Sequence, residues 1–570
     1  MRRQRRGLKL LALILGLSLV AAACGGDDDD EGAGQESEGE GTEQDLQQGG
    51  DLVDLSAFAQ GPAENIDPAL STTVSASQVG ESLYDGLTKV DYSDMENPVV
   101  RGEVAESWEP NDDATEWTFT VRDDLFFSDG TQVLPSSFKR SFERSSEPAF
   151  AGDYSYLFSF LEGGQAKLDG EADEITGVVA DDDEMTLTTT LSAPYANFDA
   201  VIGFKLFAPM PEAVEELTDQ AEWETMEGGL IGNGPFMLEA PINDQEIVLV
   251  PNPEWDGTKY DDELGLPEQP FLDRLTFRVS ADEDTAYQAL EAGEGQVASI
   301  VAGRVQEAVD NYATTLNDPV LGAYYFGINQ ENPVVGGEEN LLLRQAISQA
   351  IDRDEINDAV YEGTRTNATG ITPPGIPGFE EGLCEFCTYD PEAAQEAYEE
   401  WQAAGNSLDE PLPVQLNADA GHEPVVQIMI DNLDAIGIPA TAEAIPSETY
   451  FGQLAEGACV ICRAGWLADY PTYDNFMFDL FDTSALDGNN YGYSNPEFDE
   501  LLAEAKATTD ADTAADLFQQ AEQILLNDDI GTIPINWYLG TVAYNPDEVA
   551  NLSQTPDFHI VWETVALANP

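Results

Sequence analysis

The sequence predicts a mixed fold of α-helices and β-strands, either α/β or α+β, divided among two or three domains. Its 570 residues, 42% of them hydrophobic, are too many for one compact core. In TEWTFTVRDDLFFSDGTQV, Trp117, Phe119 and Val121 alternate with polar residues, and a turn signal follows at Ser128–Asp129–Gly130. This pattern predicts a half-buried strand that leads into a hairpin.

A second strand and three helices follow the same rules of local sequence. The strand is predicted in EIVLVPNPEW, which begins at Glu246 after the turn-forming GNGPFMLEA. Between 341 and 363, apolar residues recur at helical spacing, and Asp352 is placed to cap a second helix with Glu355 three residues later. In SNPEFDELLAEA, Asn495 is a predicted cap and Pro496 the first helical residue.

The chain is strongly acidic, with 110 acidic against 22 basic residues and a formal net charge of −88. Such a charge strains a compact fold by self-repulsion, but near 1 M salt the screening length falls to roughly 3 Å. We interpret the excess acid as adaptation to salt, because it is spread over the whole chain; the alternative is an acidic face for a cationic partner. Nucleic acid is not expected as a partner.

The first 24 residues, MRRQRRGLKLLALILGLSLVAAAC, have the pattern of a secretory leader. Basic residues precede an apolar run from Leu8 to Val20, and small residues precede Cys24. The run is too short to be counted as a membrane span. The ending AAAC resembles the lipobox of bacterial lipoproteins, although Ala21 stands where leucine is usual. We therefore expect a signal peptide over 1–23 and lipidation of Cys24, with ordinary secretion as the alternative.

Residues 24–50 contain an acidic, glycine-rich stretch without apolar periodicity. Such a composition cannot bury a core and predicts a disordered tether, with the globular body starting near Asp51. The protein is thus expected outside the cytoplasm, anchored by lipid to the outer face of the cell membrane.

The sequence contains few of the residues and motifs that are typical of catalytic sites. The chain has only two histidines, His422 and His559, and neither lies in a metalloprotease or Ser-His-Asp-like context. No GxSxG elbow and no phosphate-binding GxxxxGK[ST] motif occurs. The sequence therefore indicates a protein that is not an enzyme and needs no cofactor or metal.

The four remaining cysteines form two CxxC pairs, Cys384 with Cys387 and Cys459 with Cys462. Zinc accepts four thiolates at such spacing, but outside the cytoplasm disulfides are preferred. If GACVICRAG is a strand, its two cysteines lie on opposite faces about 10 Å apart, beyond disulfide reach. In that case each CxxC would have to pair with the other one.

Seven segments in order resemble one family, the solute-binding proteins of bacterial ABC importers, in the branch that takes up peptides and nickel. They are AENIDPALSTTVSASQVGESLYDGL, VAESWEPNDDATEWTFTVRDDLFFSDGTQVLPSSF, GNGPFMLEA, VLVPNPEWDG, LRQAISQAIDRDEI, TPPGIPGF and GWLADYPTYDNF. The resemblance runs from about Asp51 to the C-terminus.

The resemblance implies a two-lobed α/β fold of the periplasmic-binding-protein type II class, with a hinge and an inserted subdomain. By analogy, lobe I comprises 51–75, 205–302 and 533–570, the insert 76–204, and lobe II 303–532. Ligand would be enclosed between the lobes.

The resemblance also nominates ligand-binding residues. In the peptide-binding members, the aspartate that matches Asp469 of GWLADY pairs with the peptide's α-ammonium group. A carboxylate among aromatic residues is costly to desolvate unless a cation arrives. Trp466 and Tyr470 would wall the pocket, although Trp466 can equally be a core residue. Arg463 lies where oligopeptide binders place an arginine near the peptide's carboxylate; the alternative is a structural ion pair with Asp469.

Two further candidates, Asn489 and Tyr491 in GNNYGY, follow the motif and could line the cleft. Together these features predict a monomeric, lipid-anchored receptor that captures short peptides and delivers them to a membrane permease driven by a cytoplasmic ATPase. The alternatives are the same fold binding a nickel complex, an opine or an oligosaccharide, or else a secreted hydrolase or a surface chaperone or adhesin.

Overall fold

The computed structural model describes residues 46–568, apart from 60, 62–64, 96–97, 151, 215–221, 226–228, 302, 419–420 and 486–490. The predicted signal peptide, the lipidated Cys24 and most of the tether lie outside the described residues. Helices and strands are mixed throughout the described chain, as predicted. No helix among the described residues combines the length and the apolar composition that crossing a membrane requires.

A seven-stranded mixed sheet forms the core of the first lobe. Its first strand, Asp51–Asp54, is parallel to both of its neighbours, Arg274–Arg278 and Val297–Ser299. Buried Leu52, Leu275 and Phe277 line one face of this sheet. In spatial order its strands are Ala313–Thr314, Val542–Tyr544, Val297–Ser299, Asp51–Asp54, Arg274–Arg278, Glu246–Pro251 and Phe236–Leu238.

A six-stranded sheet forms the core of the second lobe and is covered by helices on both faces. Its long central strand, Pro319–Ile328, is antiparallel to Ile461–Leu467 and to Thr532–Leu539. Its strands in order are Thr366–Asn367, Thr532–Leu539, Pro319–Ile328, Ile461–Leu467, Leu412–Asn417 and Ala440–Ile445. The α-helices from 341 onward are Leu341–Ala350, Arg353–Val360, Pro391–Ala403, Glu423–Ala435, Ser447–Ala455, Tyr473–Phe481, Pro496–Ala507 and Ala511–Gln523.

A four-stranded antiparallel sheet lies, in sequence, between two strands of the first lobe. Its strands in order are Ala105–Pro110, Glu116–Val121, Thr186–Thr190 and Val178–Asp181. Trp117, Phe119 and Val121 are buried while their neighbours on the strand are less so, which confirms the predicted alternation. The α-helices before 341 are Val74–Leu83, Pro135–Ser145, Gly164–Leu168, Phe198–Val201, Glu222–Thr225, Glu283–Glu291 and Val305–Asn311.

Several predicted local elements are confirmed in detail. The strand predicted from Glu246 spans Glu246–Pro251. Asp352 caps Arg353–Val360 by accepting a hydrogen bond from the Glu355 amide at 3.0 Å. Asn495 caps Pro496–Ala507 in the same way. These caps form because the first amides of a helix lack partners within the helix.

The chain passes between the two large sheets at two adjacent connections. One runs from Thr314 to Pro319 and the other from Leu539 to Val542. The Gly540 amide donates to the Asp318 carbonyl at 2.9 Å, so the connections lie side by side. The chain therefore passes from one sheet to the other near residues 315 and 540. The lobe limits at 303 and 533 that the sequence predicts stay predictions, and we propose limits near 315 and 540 instead.

The cysteines form two local disulfides, Cys384–Cys387 and Cys459–Cys462, with Cα–Cα distances of 5.4 and 5.9 Å. The strand assignment on which cross-pairing depended is wrong for Cys459, because the strand begins only at Ile461 and Cys459 lies before it. Asn329 donates to the carbonyls of Gly457 and Cys459, which holds this segment in an irregular approach to the strand. The four thiols are thus used in disulfides, which leaves no thiolates among them for the zinc site considered as the alternative.

Candidate functional site

A cavity of about 300 Å³ lies between the helix Val74–Leu83 and the C-terminal segment on one side and the GWLADY motif on the other. Trp466, Asp469 and Tyr470 of the motif all line it. They follow or end the strand Ile461–Leu467, which is parallel to Leu412–Asn417. The carboxyl ends of such strands are the usual place for ligands in open α/β sheets.

The motif residues are held by the helix that follows them, Tyr473–Phe481. Asn475 Oδ1 accepts hydrogen bonds from Trp466 Nε1 at 3.0 Å and from the Asp469 amide at 3.1 Å. Asn475 Nδ2 donates to Asp479 Oδ2 at 2.9 Å, and the same oxygen accepts from the Tyr470 hydroxyl at 2.6 Å. Because Asn475 and Asp479 are one helical turn apart, they present side chains on the same face. The helix thus fixes both the indole and the backbone of the anchor residue.

The Asp469 carboxylate is half-buried against the cavity, and burial raises its pKa to about 6. A hydrogen bond from Tyr154, the charge of Lys205 and the side chain of Asn475 oppose this rise. Asp469 Oδ2 is inaccessible to solvent and has no hydrogen-bond partner among the described residues. A buried carboxylate oxygen without a donor is unfavourable until a donor or cation reaches it.

Two other cations that line the cavity are already paired. Lys89 Nζ lies 3.6 Å from a carboxylate oxygen of Glu103 and 3.6 Å from one of Glu563. His559 Nδ1 lies 3.5 Å from Asp557. Burial acts to lower the pKa of His559, but Asp557 opposes this effect and the net pKa is raised, which favours the charged form of the histidine. Neither of them lies within ion-pair distance of Asp469, whose pKa the more distant charge of Lys205 acts to lower.

The motif helix also contacts the core of the four-stranded sheet. Tyr195 donates a hydrogen bond to Asp474 Oδ2, and Lys506 Nζ lies 3.6 Å from the same oxygen. Tyr470, although it belongs to the motif, packs into the hydrophobic cluster built around Trp117 and Phe119. Both contacts join this part of the chain to the core of the four-stranded sheet.

Arg463 lies elsewhere, since its position alternates with that of Trp466 on the strand. Its guanidinium carbon is 5.0 Å from the ring centroid of Tyr324, on the face of the sheet that is opposite Trp466. No carboxylate lies within 4.0 Å of Arg463 among the described residues. The alternative of a structural ion pair between Arg463 and Asp469 is therefore wrong.

A second arginine, Arg365, lies among the tyrosines near Arg463. Arg365 lies 4.6 Å from the ring of Tyr538 and 5.2 Å from that of Tyr361. The Tyr538 hydroxyl and the Arg463 guanidinium meet over Gly465, where a Cβ atom would come within 2.4 Å of the hydroxyl. We call Arg365, Arg463, Tyr324, Tyr538 and His422 the arginine cluster.

The arginine cluster is electropositive. Tyr324 Oη lies 3.2 Å from His422 Nδ1. Burial, together with the charge of Arg463, lowers the pKa of His422 to about 3, so this histidine is neutral. The cluster connects to the cavity through Leu467, a cavity-lining residue whose side chain meets that of Tyr538 over Gly322.

Another sequence candidate, Tyr491, does not line the cavity. Tyr491 is buried, has a φ of 52°, and places its ring over Gly327 in the core of the second lobe. The expectation that it lines the cleft is therefore corrected: at this position the glycine leaves room for a packed aromatic ring. Asn489 lies outside the described residues.

Sequence reasoning missed Lys205, Tyr154 and Asn475. Lys205 and Tyr154 are distant from the motif in sequence, and no local pattern marks them. Asn475 was within the quoted motif GWLADYPTYDNF, and its spacing from Asp479 was the available signal.

The chain is similar to a family of known proteins over most of its length. Residues 99–488 match the family described as bacterial extracellular solute-binding proteins, family 5 middle. The chain is 29% identical over 496 residues to the periplasmic oligopeptide-binding protein OppA of Escherichia coli K12, covering 85% of this chain and 87% of the relative. It is 25% identical over 548 residues to the oligopeptide-binding protein OppA of Bacillus subtilis 168, covering 93% and 94%.

The fold is similar to that of solved relatives. The crystal structure of Haemophilus influenzae OppA in complex with the peptide RPPGFSPFR superposes with a TM-score of 0.72 at 25% identity, covering 92% of this chain and 100% of that one. The two-lobed α/β fold predicted from the sequence is confirmed by this likeness.

Proposed function

Because this chain belongs to family 5 of the bacterial extracellular solute-binding proteins, we propose that it captures short peptides in the cavity beside Asp469. The relatives reported above are named as oligopeptide-binding proteins, and one was solved with a bound peptide. The observation that carries the proposal is the Asp469 carboxylate: the residue lines the cavity, and its Oδ2 atom has no hydrogen-bond partner in the described chain.

The peptide's α-ammonium group supplies what Asp469 lacks. It brings a positive charge and three N–H donors to a carboxylate that burial has made costly to ionise. Trp466, fixed by Asn475, offers an aromatic wall beside the ammonium. A neutral sugar would contact the aromatic walls but would leave the carboxylate charge uncompensated.

We propose that the arginine cluster binds the terminal carboxylate of the peptide. Arg365 and Arg463 have no carboxylate within ion-pair distance among the described residues, and a planar guanidinium suits bidentate carboxylate binding. Leu467 at the cavity wall lies four positions after Arg463 on the strand, about 13 Å away. An extended peptide of about four residues spans that length.

Delivery follows from the family. We propose that the lobes close on the peptide about the connections near 315 and 540, and that the loaded protein passes it to a membrane permease driven by a cytoplasmic ATPase. We further propose a monomer anchored through lipidated Cys24, outside the described residues. Binding in this scheme requires no chemistry on the ligand.

Native mass spectrometry of the purified protein in volatile salt, followed by denaturation and sequencing of what is released, tests the proposal. A set of co-purified short peptides is the expected result. A single non-peptide mass would keep the receptor function but remove the amine anchor. An empty protein would be titrated with a tetrapeptide library, and failure of every peptide to bind would overturn the proposal.

A further inference from the structure

We propose that Lys205 forms a second charged subsite in the cavity, which selects peptides that carry a carboxylate side chain on their first residue. The inference deepens and rests on the proposed peptide-binding function. It names the ligand as a peptide that begins with glutamate or aspartate, so that ammonium and side-chain carboxylate enter the cavity together.

Lys205 is held in the cavity by uncharged groups. Its ammonium donates a hydrogen bond to Ser77 Oγ and lies 5.0 Å from the ring centroid of Phe204 and 5.4 Å from that of Tyr154. All four residues line the cavity. Within the described chain no carboxylate lies within 4.0 Å of this ammonium, whereas Lys89 and His559 of the same cavity each have one.

Burying the lysine ammonium in such a position is energetically unfavourable unless an anion lies nearby. Transfer of an ammonium group from water into a protein interior is unfavourable unless a carboxylate compensates it. Burial accordingly lowers the pKa of Lys205, against the opposing charges of Asp469, Glu81 and Asp557. Of these, Asp557 is already paired with His559, and Asp469 faces the site of the peptide ammonium.

Tyr154 connects the two charged groups. Its hydroxyl donates to the Asp469 carboxylate, and its ring lies beside the Lys205 ammonium. Asp469 and Lys205 therefore face one space but are too far apart to form an ion pair with each other. In an amino-terminal glutamate, a few bonds separate the ammonium from the side-chain carboxylate, so the two groups lie roughly 4 to 5 Å apart. Such a residue can satisfy both protein charges at once.

Glu81 is the competing anion and provides the matched control. It lies one helical turn after Ser77 on the helix Val74–Leu83, lines the same cavity, and acts on Lys205 through space. If Glu81 partly satisfies Lys205, replacing Glu81 with glutamine must strengthen the attraction for a ligand carboxylate.

The experiment is isothermal titration calorimetry of the purified protein, at constant pH and salt, with Glu-Ala-Ala-Ala, Gln-Ala-Ala-Ala and Ala-Ala-Ala-Ala. The wild-type protein is expected to bind the glutamate peptide about tenfold more tightly than the glutamine peptide. In Lys205→Met the ratio should fall to about one, and in Glu81→Gln it should exceed the wild-type ratio.

Equal affinity of the wild-type protein for the glutamate and glutamine peptides overturns the inference. This outcome does not depend on the folding of any variant. A ratio that survives in Lys205→Met also overturns it. If the alanine peptide binds while the glutamate preference is absent, peptide capture stands and only the subsite fails. If none of the peptides binds, the proposed function itself fails.

Discussion

The Asp469 end and the Arg463 end of the motif each hold an uncompensated charge, but for opposite reasons. At the Asp469 end Lys89 and His559 lie beside other acids and Lys205 acts only from a distance, so no cation of the described chain lies within 4.0 Å of the carboxylate. At the Arg463 end no carboxylate of the described residues lies within 4.0 Å of the guanidinium, although acidic residues outnumber basic ones by 110 to 22 in the chain. In so acidic a chain, an arginine surrounded by tyrosines indicates that the fold keeps carboxylates away from it.

The largest expected effect on peptide binding comes from removing the charge at Asp469. Asp469→Ala is expected to weaken peptide binding about tenfold to a hundredfold, because a charged hydrogen bond contributes about 1.5 to 3 kcal/mol. Calorimetry measures the loss, and circular dichroism of the variant checks that it folds. Unchanged affinity would exclude Asp469 as the ammonium anchor.

Lowering the pH should also weaken peptide binding, because it protonates Asp469. The pKa of free Asp469 is about 6, and a bound ammonium lowers it, so affinity is full above that value and falls as the pH drops through it. Between pH 7 and pH 5 the affinity should fall about tenfold. The matched Asp469→Asn variant should lose most of this dependence; the remainder would come from other titratable groups, namely Asp479, whose pKa burial raises to about 7, and the cavity-lining Glu103 and His559, whose pKa values are also raised.

The Arg463 end is tested by the peptide's other terminus. Arg463→Met should weaken binding of a tetrapeptide with a free carboxylate about fivefold, the size expected for a partly exposed ion pair. The same peptide with an amidated C-terminus should bind wild type and variant alike. Arg304→Met, which removes an exposed arginine paired with Glu291, is the control. An equal loss for both peptides would assign Arg463 a structural role.

The smallest expected effect comes from the helix behind the anchor. Asn475→Leu keeps the branching of the side chain but leaves Trp466 Nε1 and the Asp469 amide without an acceptor, and should weaken binding about threefold. Tyr195→Phe removes a hydrogen bond to Asp474 on the same helix without touching Asn475, and should leave affinity unchanged. Equal losses in both variants would mean that the helix as a whole, and not Asn475, positions Asp469.

Local sequence by itself determined much of the secondary structure. The alternation at Trp117 and Phe119 and the caps at Asp352 and Asn495 depend only on neighbours along the chain, and each is confirmed. The motif GWLADY also placed Asp469 and Trp466 in the cavity, because their positions follow from one strand and the turn after it. These features are predictable since periodicity and capping are local properties.

Only the tertiary structure decided which groups meet. Cys459 was expected within a strand, but side chains from Asn329 and Gln415 hold its segment outside one and allow the local disulfide. Arg463 stays a predicted ligand residue, but its partners could not be read from the sequence: it lies on the face opposite Trp466, near Arg365, about a hundred residues away in sequence. Lys205 reaches the Asp469 cavity from a separate segment more than 250 residues away. The physical reason is that charge pairing depends on distance in space, and no pattern along one chain segment encodes contacts between distant segments.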